Sequence, residues 1–92
     1  MVRKRERLEI IHDILHAIQE KKGKSKPTHI LYKSNLSHQM LSDYLAELIR
    51  KEFMIEVKDK KGNKMYELTD KAYNFLKDYQ IIKGFVDSYG LD

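Results

Sequence analysis

The sequence predicts a mostly helical α+β domain in which a β-hairpin separates three helices from a fourth. Two observations carry this. Apolar residues recur three and four apart along most of the chain, the period of an amphipathic helix. Between Ile55 and Leu68 that rhythm gives way to alternation, the period of a strand. At 92 residues the chain has one domain's length and room for one small core.

Arg3 to Glu20 reads as the first helix, with Leu8, Ile11, Leu15 and Ile18 on one stripe and Ile14 widening it. The run KKGKSK, Lys21 to Lys26, breaks it, with Gly23 as the stop. Ser25 is placed to cap the second helix, PTHILYKS, and Pro27 suits a first turn that needs no backbone donor. Ile30 and Leu31 are its inward residues. Ser34-Asn35-Leu36 is then a turn, because Asn35 tolerates a left-handed backbone and Leu36 can plug the angle between two helices. Ser37 caps the third helix. Its inward face is Leu41, Tyr44, Leu45 and Leu48; its outward face is His38, Gln39, Ser42, Asp43, Ala46 and Arg50. Helix, three-residue turn and helix make a helix-turn-helix. Tyr32 and Tyr44 read as half-buried packing residues.

Beyond Phe53, Ile55 and Val57 alternate with Glu56 and Lys58, and Tyr66 and Leu68 alternate with Met65 and Glu67. DKKGN, Asp59 to Asn63, supplies the glycine and asparagine of a hairpin turn. Thr69 caps a last helix from Asp70. Ala72, Phe75, Leu76 and Tyr79 share one of its faces. Ile81, Ile82, Phe85, Val86 and Tyr89 sit about a quarter turn away at ~100° per residue, so the second half faces something other than its own domain. The helix is expected to continue through Gly84.

Composition narrows the function. The chain is 41% hydrophobic and 35% charged, too apolar for disorder. It has no cysteine, which removes disulfides, thiolate metal sites and cysteine nucleophiles. No apolar run approaches the ~18 residues that span a bilayer. The opening MVRKRERLEIIHDIL lacks the continuous apolar core and cleavage site of a signal peptide. A net charge of +4 leans mildly toward polyanions. HDILH, His12 to His16, imitates the zinc-protease helix with aspartate for glutamate. No third ligand accompanies it, aspartate is short for the base, and the pair reads as an exposed polar face. No metal, cofactor or enzymatic activity is expected.

The order of elements, with LEIIHDIL at Leu8–Leu15, ILYKSNLSHQMLSDYLAELI at Ile30–Ile49 and YELTDKAYNFL at Tyr66–Leu76, resembles small archaeal winged helix-turn-helix proteins. These include ArnR-like regulators and the dimeric ten-a type chromatin proteins of Sulfolobus. The resemblance spans nearly the whole chain and is most specific at Tyr32, Ser34, Asn35, Leu36 and Ser37. It implies a winged helix-turn-helix with a C-terminal dimerisation helix, as one domain over 1–92. Residues 1–69 would form the core and 70–89 the dimer helix. It further implies a homodimer that binds double-stranded DNA, as a transcriptional regulator or a small chromatin protein. The setting would be cytoplasmic and nucleoid-associated, with no membrane and no small-molecule effector.

Mapped onto this chain, Ser37, His38, Gln39, Ser42, Asp43 and Arg50 would form the recognition helix surface, and Lys58, Lys60, Lys61, Asn63 and Lys64 the wing. Gln39 suits the edge of adenine. Lys24, Lys26, Thr28 and Lys33 would meet phosphates, some at the amide end of the second helix. Tyr79, Ile82, Phe85, Val86 and Tyr89 would form the dimer interface. The alternative is a winged-helix protein-interaction module that does not bind DNA.

Overall fold

The computed structural model describes residues 6–91. Helix α1 (Arg7–Gln19) is followed by strand β1 (Lys24–Ser25), helix α2 (Pro27–Ser34) and helix α3 (His38–Arg50). Strands β2 (Met54–Lys58) and β3 (Lys64–Leu68) form the hairpin, and helix α4 (Asp70–Ser88) closes the chain. The expected order is therefore present, with one strand added. The Arg3–Arg5 part of the expected first helix lies outside the described residues.

Three of the helices end alike. The amide of Gly23 donates to the Ile18 carbonyl, that of Phe53 to Leu48 and that of Leu91 to Val86, each reaching back five residues. This closure requires a left-handed residue just before the donor. Lys22 (φ +61°), Glu52 (φ +66°) and Gly90 (φ +66°) fill that position. At the first helix end, then, the helix-closing residue is Lys22 rather than Gly23. Gly23 (φ +87°) serves close packing instead, since a Cβ there would stand 2.2 Å from the Tyr73 hydroxyl oxygen of α4. Its carbonyl accepts the Leu68 amide at 2.9 Å, which turns the chain onto the sheet.

What reads as loop before α2 is in part β1. It pairs antiparallel with β3, Lys24 opposite Glu67 and Ser25 opposite Tyr66. Two residues are too few to show a period. Pairing also moves Ser25 from its expected capping role. The side chain is buried, and its hydroxyl donates to the Lys26 carbonyl at 3.1 Å. Lys26 is the N-cap residue and makes no side-chain cap bond, while Pro27 takes the first turn as expected.

The turn between α2 and α3 matches its sequence. Asn35 is left-handed (φ +54°, ψ +44°), and its amide closes α2 on the Leu31 carbonyl at 3.1 Å. Leu36 packs against the core. The Ser37 hydroxyl accepts the Met40 amide at 3.1 Å.

The sheet order is β1-β3-β2, all antiparallel. Met54 faces Leu68 and Glu56 faces Tyr66 across the hairpin, so these residues share one side. Met54, Tyr66 and Leu68 are buried there, whereas Ile55, on the other side, is half exposed. The core anchor of β2 is thus Met54. Ile10, Ile14, Leu15 and Ile18 of α1, Ile30 of α2, and Leu41, Leu45 and Leu48 of α3 fill the centre, with Ala72 and Leu76 of α4. Burying each large side chain is worth roughly 1.5–3 kcal/mol. Leu8, expected on this stripe, is 61% exposed; Ile10 takes the inward place. Tyr32, expected in the packing, is 82% exposed. It lies one turn beyond exposed Thr28, on the side of α2 away from Ile30 and Ser34.

Thr69 sits at the start of α4 but does not cap it with its side chain. Its hydroxyl donates to the Glu52 carbonyl at 2.6 Å and its amide to that of Phe53 at 3.2 Å. The end of α3 is thereby tied to the start of α4. Helix α4 runs through Gly84 without a break.

Two substitutions at left-handed positions are expected to have opposite signs. Glu52→Gly removes the backbone penalty of a side chain and raises unfolding free energy by about 1 kcal/mol. Gly23→Ala introduces that penalty and displaces Tyr73, and costs at least about 1 kcal/mol. Denaturant unfolding of both variants checks the pair.

Candidate nucleic-acid interface

Burial of Leu41, Leu45 and Leu48 determines what α3 shows to solvent. At ~100° per residue the opposite ridge is Gln39, Asp43, Ala46 and Arg50, all exposed. His38 and Ser42 lie to one side of it. They line a cleft of about 430 Å³ whose far wall is Glu56, Lys64 and Tyr66 of the hairpin, with Pro27 at one edge. Of the residues expected on the recognition helix and the wing, His38, Ser42 and Lys64 thus share one concave surface. Lys64 and Glu56 stand 3.8 Å apart there. Burial pushes the Tyr66 phenol up, and Glu56 adds to the shift while Lys64 opposes it.

The two acidic residues of α3 have different surroundings. Glu47 is drawn toward α1: it pairs with Arg7, whose guanidinium also lies over the Tyr44 ring, and with Lys51 at 2.8 Å. Asp43 has no cation partner among the described residues. It accepts from the Gln39 amide, Nε2 to Oδ1, at 2.9 Å. The i,i+4 spacing of these residues was a readable signal for that bond. Ser37 caps the helix with its hydroxyl, so its role is to set the helix start.

Asp59 organises the wing turn. Its carboxylate accepts the backbone amides of Lys61 at 2.9 Å and Asn63 at 2.8 Å, and the Asn63 side chain at 3.3 Å. Gly62 (φ +82°) supplies the left-handed step. Asn63 is therefore held within the turn. Lys58, Lys60 and Lys61 are exposed, and their side chains carry no ion pair among the described residues.

Lys24, Lys26 and Thr28 are exposed around the start of α2, in a groove of about 290 Å³ that Lys21 and Met65 also line. Lys26 lies near enough to the wing for its charge to act on Asp59. Lys33 is placed differently: it lies 3.6 Å from Glu20, the C-cap residue of α1, in an exposed pair.

On α4, Tyr79 is packed within the subunit. Its ring stacks on His12 at 4.2 Å, and burial pushes its phenol up, with Glu9 adding to the shift. Ile82, Phe85 and Tyr89 are exposed and Val86 is half-buried. The HDILH stretch is not simply an exposed polar face. His12 lies in the seam between α1 and α4, stacked also on His16 at 5.5 Å, and its Nε2 is buried with no hydrogen-bond partner among the described residues. Among the described residues no three His, Cys, Asp or Glu side chains form a metal-holding group. No described helix is long and apolar enough to cross a membrane.

A family model described as winged helix-turn-helix matches residues 4–85. An uncharacterized protein of Methanocaldococcus jannaschii, MJ0287, is 37% identical over 67 residues, which are 73% of this chain. The matched region spans 62% of that relative's length. Among solved structures, Sso10a-2, a DNA-binding protein from Sulfolobus solfataricus, superposes with a TM-score of 0.77 at 23% identity, covering 94% of this chain and 87% of its own. F93 from STIV, a winged-helix DNA-binding protein, superposes with a TM-score of 0.68 at 19% identity, covering 86% and 90%. The expected resemblance to small archaeal winged-helix proteins is borne out.

The wing turn has a definite acid response. The Asn63 amide bond, ahead of the other causes, holds the Asp59 carboxyl below its ordinary 3.8. A lowered value means the folded turn favours the charged form, so its contribution is complete above 3.8 and is lost as pH falls through the folded value. The Lys61 and Asn63 amide NMR shifts should therefore titrate together, with a midpoint below 3.8. Asp59→Ala should abolish that titration and leave both amides exchange-labile at neutral pH.

Proposed function

Because the chain belongs to the winged helix-turn-helix family, we propose that it binds double-stranded DNA as a homodimer, as a transcriptional regulator or small chromatin protein. The observation that carries this reading is the shared surface of α3 and the hairpin. A polar helix face stands free of its own core beside a cleft that it shares with Lys64 and Glu56 of the hairpin, and the same hairpin carries the exposed Lys58, Lys60 and Lys61. A helix of this width enters the major groove, and flexible cations beside it neutralise phosphates.

In this reading Gln39, Asp43 and Arg50 face the groove, with His38 and Ser42 toward the wing side. Lys58, Lys60 and Lys61 track the backbone. Lys24, Lys26 and Thr28 meet phosphates beside the start of α2. Tyr32, on the same side of that helix as Thr28, joins them with its hydroxyl. Lys33 stands 3.6 Å from Glu20 in an exposed pair for which a phosphate can compete, and it completes the phosphate-contact set. The protein acts by rigid placement, without a cofactor and without chemistry of its own, in the nucleoid.

The dimer reading rests on the free half of α4. Ile81, Ile82, Phe85 and Tyr89 are each more than half exposed on one stripe. Leu8 extends it: it precedes His12 by one turn, as Ile82 follows Tyr79, and His12 and Tyr79 are stacked. A contiguous apolar strip of this kind marks an interaction surface, and a second copy offers the matching one.

A salt-titrated binding assay on random duplexes tests the DNA reading. Affinity should fall steeply as salt rises. Lys60→Ala with Lys61→Ala should weaken binding on every sequence and flatten the log–log salt slope by about 0.9 per contacted phosphate. An unchanged slope would remove the wing from the interface. Sedimentation should give twice the chain mass, and Phe85→Asp should give the single-chain mass with the fold intact. A wild-type monomer that binds no DNA would shift the reading to the protein-interaction module.

A further inference from the structure

We propose that Asp43 sets the base preference of α3 by fixing the side-chain amide of Gln39, so that Gln39 presents its carbonyl oxygen to an exocyclic amino group in the major groove. This rests on the DNA-binding reading above. Asp43 is a positioning residue, and Gln39 is the group that touches the base.

An ionised carboxylate only accepts hydrogen bonds. The 2.9 Å bond from Gln39 to Asp43 therefore needs the amide nitrogen, and the carbonyl oxygen cannot take its place. A glutamine with no such neighbour turns its amide either way and offers a base a donor or an acceptor. Asp43 biases that choice toward the presented oxygen. Oε1 and one amide hydrogen remain for a ligand.

Position supports the same conclusion. The two residues lie one helical turn apart on the exposed ridge, opposite Leu41, Leu45 and Leu48. Glu47, the other carboxylate of the helix, is neutralised by Arg7 and Lys51 and turned toward α1. Asp43 is held by Gln39, and no cation among the described residues neutralises it. A carboxylate without a cation partner, on a surface that meets phosphates, weakens binding to every sequence, so its effect on DNA is to shift the balance from affinity toward discrimination.

The major groove then narrows the ligand. Adenine offers its N6 amino group and cytosine its N4 amino group, while guanine O6 and N7 and thymine O4 are acceptors. A fixed carbonyl oxygen beside a carboxylate is attracted to the first two and repelled by the others. On adenine the remaining amide hydrogen also reaches N7, giving two bonds; cytosine gives one.

The test uses the full chain. A site is first selected from random duplexes. Binding is then measured on that site, on versions carrying a purine without its N6 amino group for each adenine, and on versions carrying 2-pyrimidinone for each cytosine. Wild type should lose about tenfold or more at one position of each half-site, and the arm in which this occurs distinguishes adenine from cytosine. Asp43→Ala should bind random duplex more tightly, because a repulsive charge is gone, yet lose the tenfold discrimination. Gln39→Ala should lose it as well, and the double variant should lose no more than either. Asp43→Asn, which accepts and donates, should restore the amide's freedom and lose discrimination too. Both positions are exposed, and thermal unfolding of each variant confirms that the fold is retained. Binding without sensitivity to any removed amino group, or full discrimination in Asp43→Ala, would overturn the proposal. Wild type that binds no duplex at all would instead overturn the DNA-binding reading on which it stands.

Discussion

The arrangement depends on one constraint, the burial of the apolar face of α3. Leu41, Leu45 and Leu48 are held in the same cluster as Ile14, Leu15, Ile18 and Ile30. Rotating α3 to cover its polar ridge would bring those leucines into water, and each is worth roughly 1.5–3 kcal/mol of burial. Helix rotation is thus settled by hydrophobic energy. The polar side chains have only to be compatible with facing outward. Local devices place the helix ends: left-handed Asn35 and capping Ser37 begin α3, and left-handed Glu52 ends it.

The hairpin joins this frame by a different route. Met54 enters the core directly after the α3 terminus, and its partner Leu68 is bonded to Gly23 of the α1–β1 turn. Thr69 then ties the hairpin's exit to the end of α3 through Glu52. The wing therefore emerges from a base held at three points, and its tip is organised by Asp59. A fixed base with a cationic tip suits a segment that follows an irregular anionic surface, because cation placement at the tip can adjust without disturbing the core.

Electrostatics divides the molecule in a way that net charge does not show. Glu20 and Glu47 are consumed by pairs with Lys33, Arg7 and Lys51. Several wing lysines have no such pair among the described residues. Exposed pairs of this kind contribute little to stability, typically about 0–1 kcal/mol. Their consequence is spatial: they set countercharge beside Glu20 and Glu47, whereas Asp43 has no cation partner among the described residues. Helix α4 shows a corresponding division in its packing. Its first half completes the core with Ala72 and Leu76, and Tyr79 closes the seam on His12. Beyond that point the helix outruns its own domain.

Much of this was legible in the sequence, because amphipathic periods and local backbone chemistry are local properties. The helix-turn-helix, the Ser37 cap, left-handed Asn35, the hairpin and the continuation of α4 through Gly84 each follow from a few neighbouring residues. So does the division of α3 into an inner and an outer face. Only the tertiary structure decided which residues of a local pattern were taken by distant partners. Ser25 was drawn into a sheet by Tyr66, and Thr69 turned to Glu52 rather than to its own helix. Ile10 displaced Leu8 from the core, Met54 displaced Ile55, and Tyr32 was left in solvent. The physical reason is the same in each case. A period specifies a face and a cap specifies an end, but which donor, charge or apolar surface comes to meet them depends on chain segments far away in sequence.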